Sequence, residues 1–192
     1  MKTTKDTRST ILDVAQDMVQ RRSISGVSFQ ELANRIGIKK GSMYYHFESK
    51  DELSIAMLER ATEDLKASFK RGKHKSATEQ LRYFFAIYFR IIGPGQRMCP
   101  GGAFAGEWDK LSEPVHQSVR AVLNAQIEGV EEIIVAGVSK GEFADHGQSP
   151  KALASWIISC LQGAILTSRV EENDSHFNFA VNTIERYLGL TT

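Results

Sequence analysis

The chain has 192 residues, 42% hydrophobic and 24% charged, with a formal net charge of +1 at pH 7. That length suits a small domain joined to a larger one, and ten Phe and two Trp offer too much apolar surface for a disordered chain. Two cysteines cannot build a disulfide framework, residues 1–10 show no signal-peptide core, and the longest unbroken apolar run, Tyr83 to Phe89, is far short of a membrane span. The expected location is a reducing cytoplasm, with no membrane partner.

The charge is uneven. Residues 1–50 hold nine Lys and Arg against five Asp and Glu, a net +4 that leaves −3 for the remainder. A compact basic segment on a mildly acidic body points to a polyanion partner for the first segment alone.

The pattern predicts an all-α protein, because no stretch alternates apolar and polar residues for long. Nine helices are expected, near 6–22, 28–36, 39–47, 50–71, 76–92, 102–109, 113–140, 149–170 and 175–188. Ser28-x-x-Glu31, Ser49-x-x-Glu52 and Ser76-x-x-Glu79 read as capping boxes. Ser112 with Pro114 and Ser149 with Pro150 mark two more starts, with proline in the first turn. The breaks are Gly72, Gly93-Pro94-Gly95, Pro100-Gly101-Gly102 and Gly141. The first helix has an apolar stripe of Ile11, Val14, Ala15 and Met18. The fourth, with Leu53, Met57, Ala61, Leu65 and Phe69 on one side, is long enough to connect two bodies.

Residues 28–47 have the arithmetic of a helix-turn-helix. Two short helices meet at Gly37, which can take φ > 0, and Ala33 lets them approach. Leu32, Ile36, Ile38 and Met43 supply the contacts between them. The second short helix exposes Lys39, Lys40, Ser42, Tyr44, Tyr45 and His46, whereas Phe47 packs the motif. Lysine neutralises phosphate, Tyr and Ser hydroxyls bond phosphate oxygens, and Tyr can rest on a thymine methyl. Basic residues interleaved with aromatics on so short a helix make a nucleic-acid surface.

The run Gly37-Ile38-Lys39-Lys40-Gly41-Ser42-Met43-Tyr44-Tyr45-His46-Phe47, followed by Lys50 and Leu53, resembles the DNA-binding signature of the TetR family of bacterial transcriptional regulators. The resemblance covers residues 7–53 in sequence and the rest in helix layout. It implies a three-helix DNA-binding domain over residues 1–50 and a ligand-binding and dimerisation domain over residues 51–192. It implies a homodimer on a palindromic double-stranded operator, released by a small molecule. Lys39, Lys40, Ser42, Tyr45 and His46 would then face bases or nearby phosphates, and Tyr44 would hold a phosphate. Lys50 and Ser28 would contact backbone at helix starts. Lys39 departs from the small hydroxyl residue that many members carry there.

In the body, the fifth helix carries five aromatics within residues 83–89 and is apolar nearly all round. A packed core and an effector cavity both fit that composition. The cavity reading assigns Tyr83, Phe84, Tyr88, Phe104, Trp108, Leu123, Ile127 and Trp156 to its lining, for a largely apolar or aromatic effector. The last two helices are amphipathic, and the family resemblance makes them the dimer face. Cys99, beside Arg97 and just before the sixth helix, is a candidate redox sensor, since thiols near helix starts favour the thiolate. A small buried residue is the other reading of Cys99, and Cys160 fits packing or interface. The five histidines are scattered and no catalytic, metal-ligand or cofactor motif appears. Two alternatives stay open at this point: a repressor switched by electrophiles or oxidants at Cys99, and an enzyme or carrier using the aromatic cavity.

Overall fold

Side-chain oxygens start many of the helices. The computed structural model describes residues 6–190 except Pro94. Among these, the elements are α1 (Thr7–Arg22), α2 (Phe29–Ile36), α3 (Lys40–His46), α4 (Lys50–Gly72), α5 (Ala77–Ile92), α6 (Pro100–Ala105), α7 (Glu113–Ser139), α8 (Pro150–Val170) and α9 (Ser175–Tyr187). No strand occurs among the described residues, so the expected all-α class holds. The sixth helix differs from its expected span. It starts earlier, on Pro100, ends at Ala105, and is followed by a 3₁₀ turn at Trp108–Lys110. Proline suits a first helical turn, where its missing N–H costs nothing.

The caps behave unequally. Ser76 and Glu79 form a reciprocal box: the Glu79 amide donates to Ser76 Oγ at 3.2 Å and the Ser76 amide to Glu79 Oε2 at 3.0 Å. At α2 and α4 the serines accept as expected, Ser28 from the Glu31 amide at 3.2 Å and Ser49 from the Glu52 amide at 3.1 Å. Their glutamates turn elsewhere. Glu31 takes the Arg22 guanidinium at 2.7 Å, a charge-assisted bond stronger than a neutral amide offers, and Glu52 accepts from the Glu48 amide at 2.6 Å. Ser149 caps α8 through the Ala152 amide at 3.1 Å. The Ser112 hydroxyl does not cap α7. It is buried without a hydrogen-bond partner, and the Ser112 carbonyl accepts the His116 amide at 2.9 Å instead.

Packing divides the chain into two compact units, with α4 and α7 contributing to both. The first holds the residues through Ala61 together with Pro100–Val122. In it α1 packs on α2 and α6, and α2 on α3. Ile11, Ala15, Met18, Leu32, Ala33, Met43, Phe47 and Leu53 are fully buried at its centre. Arg60 of α4 reaches α1, donating to Asp13 and Gln16, each at 2.8 Å.

The second unit holds Thr62–Cys99 and Leu123–Thr192. Here α8 packs along α9 around an aromatic core with Phe84, Phe85, Tyr88 and Phe177. The Phe69 ring rests on Gly129 of α7 so closely that a Cβ there would stand 2.1 Å from it. Of the described helices, α8 alone is long and apolar enough to cross a membrane by composition, with mean hydropathy 1.3. Counting unbroken runs misses it. Leu153, Ile157, Leu161 and Ile165 of that helix are core residues of this unit.

Candidate nucleic-acid interface and effector core

The turn between α2 and α3 is built as the spacing requires. Gly37 sits at φ 79°, ψ 29°, a conformation that glycine adopts without steric cost, and its amide donates to the Ala33 carbonyl at 2.9 Å. Ala33 is fully buried. Met43 and Phe47 are buried as well, so the rear of α3 is pinned to the first unit's core. The Arg8 guanidinium covers Phe47 at 4.8 Å from the ring centre.

The front of α3 is left outward. Lys39, Lys40 and Ser42 are exposed, and neither lysine has an ion-pair partner among the described residues. Arg21, Arg22 and Arg35 are different: Asp17 and Glu31 of the same unit engage them at 3.2, 2.7 and 3.6 Å. Lys39 and Lys40, at the start of α3, thus keep their charge without an ion pair, as Arg8, Lys50 and Lys110 do elsewhere in the unit among the described residues. Tyr45 is 88% exposed, and its ring meets the neighbouring His46 ring edge-on at 5.2 Å. Nothing in the chain's own packing explains so large an aromatic there. Tyr44 is 50% exposed, with its ring braced edge-on against Phe29 at 5.2 Å. It is thus half a packing residue, with one side outward. His46 is half-buried.

The two helix-start residues are partly committed. Ser28 spends an oxygen lone pair on its cap, and Lys50 Nζ donates to the Ile24 carbonyl at 3.3 Å. Asp51 and Glu52 stand in the first turn of α4, where their charge offsets the positive end that would draw a phosphate.

Sequence reasoning missed one contact in this unit. Glu107, in the segment after α6, receives the Ser23 and Ser25 hydroxyls and the Ser25 amide, the last at 3.2 Å. It thereby holds the α1–α2 connection, where Ser23 takes φ 60°. Burial raises the Glu107 pKa, but the serine bonds outweigh it and leave the carboxyl below its ordinary value. The partners are more than 80 residues apart in sequence, and no local pattern signals such a pair.

The residues assigned to an effector cavity are scattered. Phe84 and Tyr88 lie in the second unit's core, their rings 4.9 Å apart. Tyr83 and Phe84 line a cavity of about 10 Å³ with Leu65, Phe69 and Ile87, room for one water. Ile127 packs on the same core, while Leu123 is 43% exposed. Trp156 sits on an open groove of about 290 Å³ between α8 and α9, shared with Cys160, Ala164, Thr167, Phe179 and Thr183. Phe104 and Trp108 belong to the first unit: Phe104 is buried, and Trp108 stacks on His116 at 3.9 Å. Cys99 is buried, with its sulfur 3.1 Å from Gln162 Oε1. Desolvation raises the Cys160 thiol above its ordinary pKa. Among the described residues no cluster of His, Cys, Asp and Glu could hold a metal ion.

With this geometry in view, two family patterns match the chain. "Bacterial regulatory proteins, tetR family" matches residues 11–57. "Tetracyclin repressor-like, C-terminal domain" matches residues 77–184, more than half of the chain. A relative along most of its length is the HTH-type transcriptional repressor DhaR of Mycobacterium sp. (strain GP1). It is 26% identical over 170 residues, which are 86% of this chain and 84% of that protein. The HTH-type transcriptional activator FasR of Mycolicibacterium smegmatis is 26% identical over 130 residues, 66% of this chain and 58% of its own length. Among solved structures, a TetR transcriptional regulator from Legionella pneumophila superposes with a TM-score of 0.86 at 24% identity, covering 97% of this chain and 99% of that one. Regulatory protein TetR from Rhodobacter sphaeroides gives 0.85 at 18% identity, covering 93% and 97%.

Proposed function

Because this chain belongs to the tetR family of bacterial regulatory proteins, we propose that it is a ligand-responsive transcriptional repressor working as a homodimer. Residues 1–50 read DNA, and residues 51–192 bind the effector and dimerise. Each protomer lays α3 in a major groove, with the two half-sites of a palindromic operator about 34–36 Å apart. Lys39, Lys40, Ser42, Tyr45 and His46 face bases or nearby phosphates. Tyr44 holds a phosphate with its exposed side, and Ser28 and Lys50 make the outer backbone contacts. The observation that carries this reading is the front of α3: uncompensated lysines and an 88% exposed tyrosine on a helix whose rear is locked into the core.

The dimer contact is made by α8 and α9. No charged residue occurs from Ala152 to Ser168, and Trp156, Leu166, Val170 and Phe179 lie exposed on these two helices. A small molecule taken up by the second unit lowers operator affinity by binding the two spacings of the DNA-reading heads unequally. A switch at Cys99 is not favoured, because the thiol is buried and hydrogen-bonded with Gln162. The protein acts in the cytoplasm.

The test is binding of the full-length protein to the duplex upstream of its own gene, by gel shift. Tyr45→Ala should weaken that binding by about 1–3 kcal/mol if the ring reaches a base edge. Unchanged affinity would remove Tyr45 from the interface. Failure of the wild-type protein to bind any such duplex would sink the regulator reading itself.

A further inference from the structure

Tyr88 of α5 is buried in the second unit, and its hydroxyl has no partner in hydrogen-bonding geometry. A buried O–H without an acceptor is costly, and native structures keep few of them. Small neutral polar groups surround it. Gln162 lays its amide across the Cys99 sulfur, with Oε1 at 3.1 Å and Nε2 at 3.0 Å. Gln126, also buried, places Oε1 3.5 Å from Gln162 Nε2. Cys99 and Gln162 stand close enough to act on the phenol. Burial, then Cys99, push its pKa well above the ordinary value, and the Gln162 amide opposes them.

Aromatic rings pack around the phenol. Phe84 meets the Tyr88 ring at 4.9 Å and Phe177 lies nearly parallel to it at 6.5 Å. The buried polar residues described are Gln20, Ser54, Ser68, Gln126 and Ser168, with no Asp, Glu, Lys, Arg or His among them. Arg97, two residues before Cys99, already has an interaction of its own. A charged ligand entering here would lose its hydration without gaining a countercharge.

We propose that Tyr88, with Gln162, Cys99 and Gln126, forms the recognition point for an uncharged effector with an apolar body and a carbonyl oxygen. The oxygen accepts from the Tyr88 hydroxyl, and the body inserts between the aromatic rings packed there. The proposal rests on the reading that the second unit binds the effector. It adds the ligand's chemical class and the groups that select it.

The test compares three probes of one shape, cyclohexanone, cyclohexanecarboxylate and cyclohexylamine, in thermal unfolding of the full-length protein. Cyclohexanone, titrated well above its Kd, should raise Tm by about 3 °C. The two charged probes should leave it in place. Tyr88→Phe should abolish the ketone shift while melting at or above the wild-type temperature, since it deletes an unmet polar group. A wild-type protein unmoved by the ketone, an equal shift from a charged probe, a ketone shift retained by Tyr88→Phe, or a lower Tm for that variant would each overturn the proposal. Unfolding requires no DNA, so these outcomes are read separately from operator binding. A protein that melts as expected yet binds no upstream duplex would fail the regulator reading alone.

Discussion

α3 and α8 share a peculiarity in opposite surroundings. Each contains a glycine, Gly41 or Gly163, whose missing Cβ would meet nothing within 4 Å. Glycine inside a helix costs about 1 kcal/mol relative to alanine, and the chain's own packing demands neither. The neighbours differ. Gly41 lies between exposed Lys40 and Ser42, one helical turn from the almost bare ring of Tyr45. Gly163 lies in a seventeen-residue stretch without a charge, and nearby Leu166 and Val170 are 54% and 75% exposed. An exposed apolar side chain says little alone. Lysines around it suit a polyanion, whereas a charge-free stretch of helix around it suits another protein surface. Both places leave room for a close approach of backbone.

This contrast can be broken at several points. The largest effect is expected from Leu166→Glu, which puts a charge on the α8 face. It should turn dimer into monomer in sedimentation and, by unlinking the half-sites, weaken operator binding about 100-fold or more. A dimer that survives would move the contact off α8. Next comes Lys39→Ala combined with Lys40→Ala. Affinity for every duplex should fall, and the slope of log K against log salt should lose about 2, with thermal stability nearly unchanged. A wild-type salt slope would show that these lysines touch no phosphate. The smallest effects belong to the glycines. Gly41→Ala and Gly163→Ala should each stabilise the fold by about 0.5–1 kcal/mol. The first should still weaken DNA binding severalfold, and the second dimerisation. Stabilisation with both functions intact would mean that the open space serves no close approach.

The helices were largely legible. Serine caps and glycine breaks are local signals, and all but the sixth helix start and stop within a residue of expectation. The Gly37–Ala33 spacing and the apolar rear of α3 likewise act over fewer than twenty residues. The effector residues were less legible. Tyr83, Phe84 and Tyr88 all lie on α5 in the second unit, but Phe104 and Trp108, apolar and equally suited to a pocket, pack in the other unit. Periodicity says which face of a helix is buried, not which partner buries it.

Thus residue order alone determined the all-α class, the position of the caps and the outward display of Lys39, Lys40 and Tyr45. All of these follow from interactions within a turn or two of the chain. Tertiary structure decided which charges remain available, because Glu31 and Asp17 engage arginines and leave the α3 lysines alone. It decided that Glu107 would hold a loop 82 residues away, and that Tyr88 would lose its acceptor where no charged side chain is buried among the described residues. Those outcomes depend on which groups burial brings together and which it strips of water, and burial belongs to the whole fold.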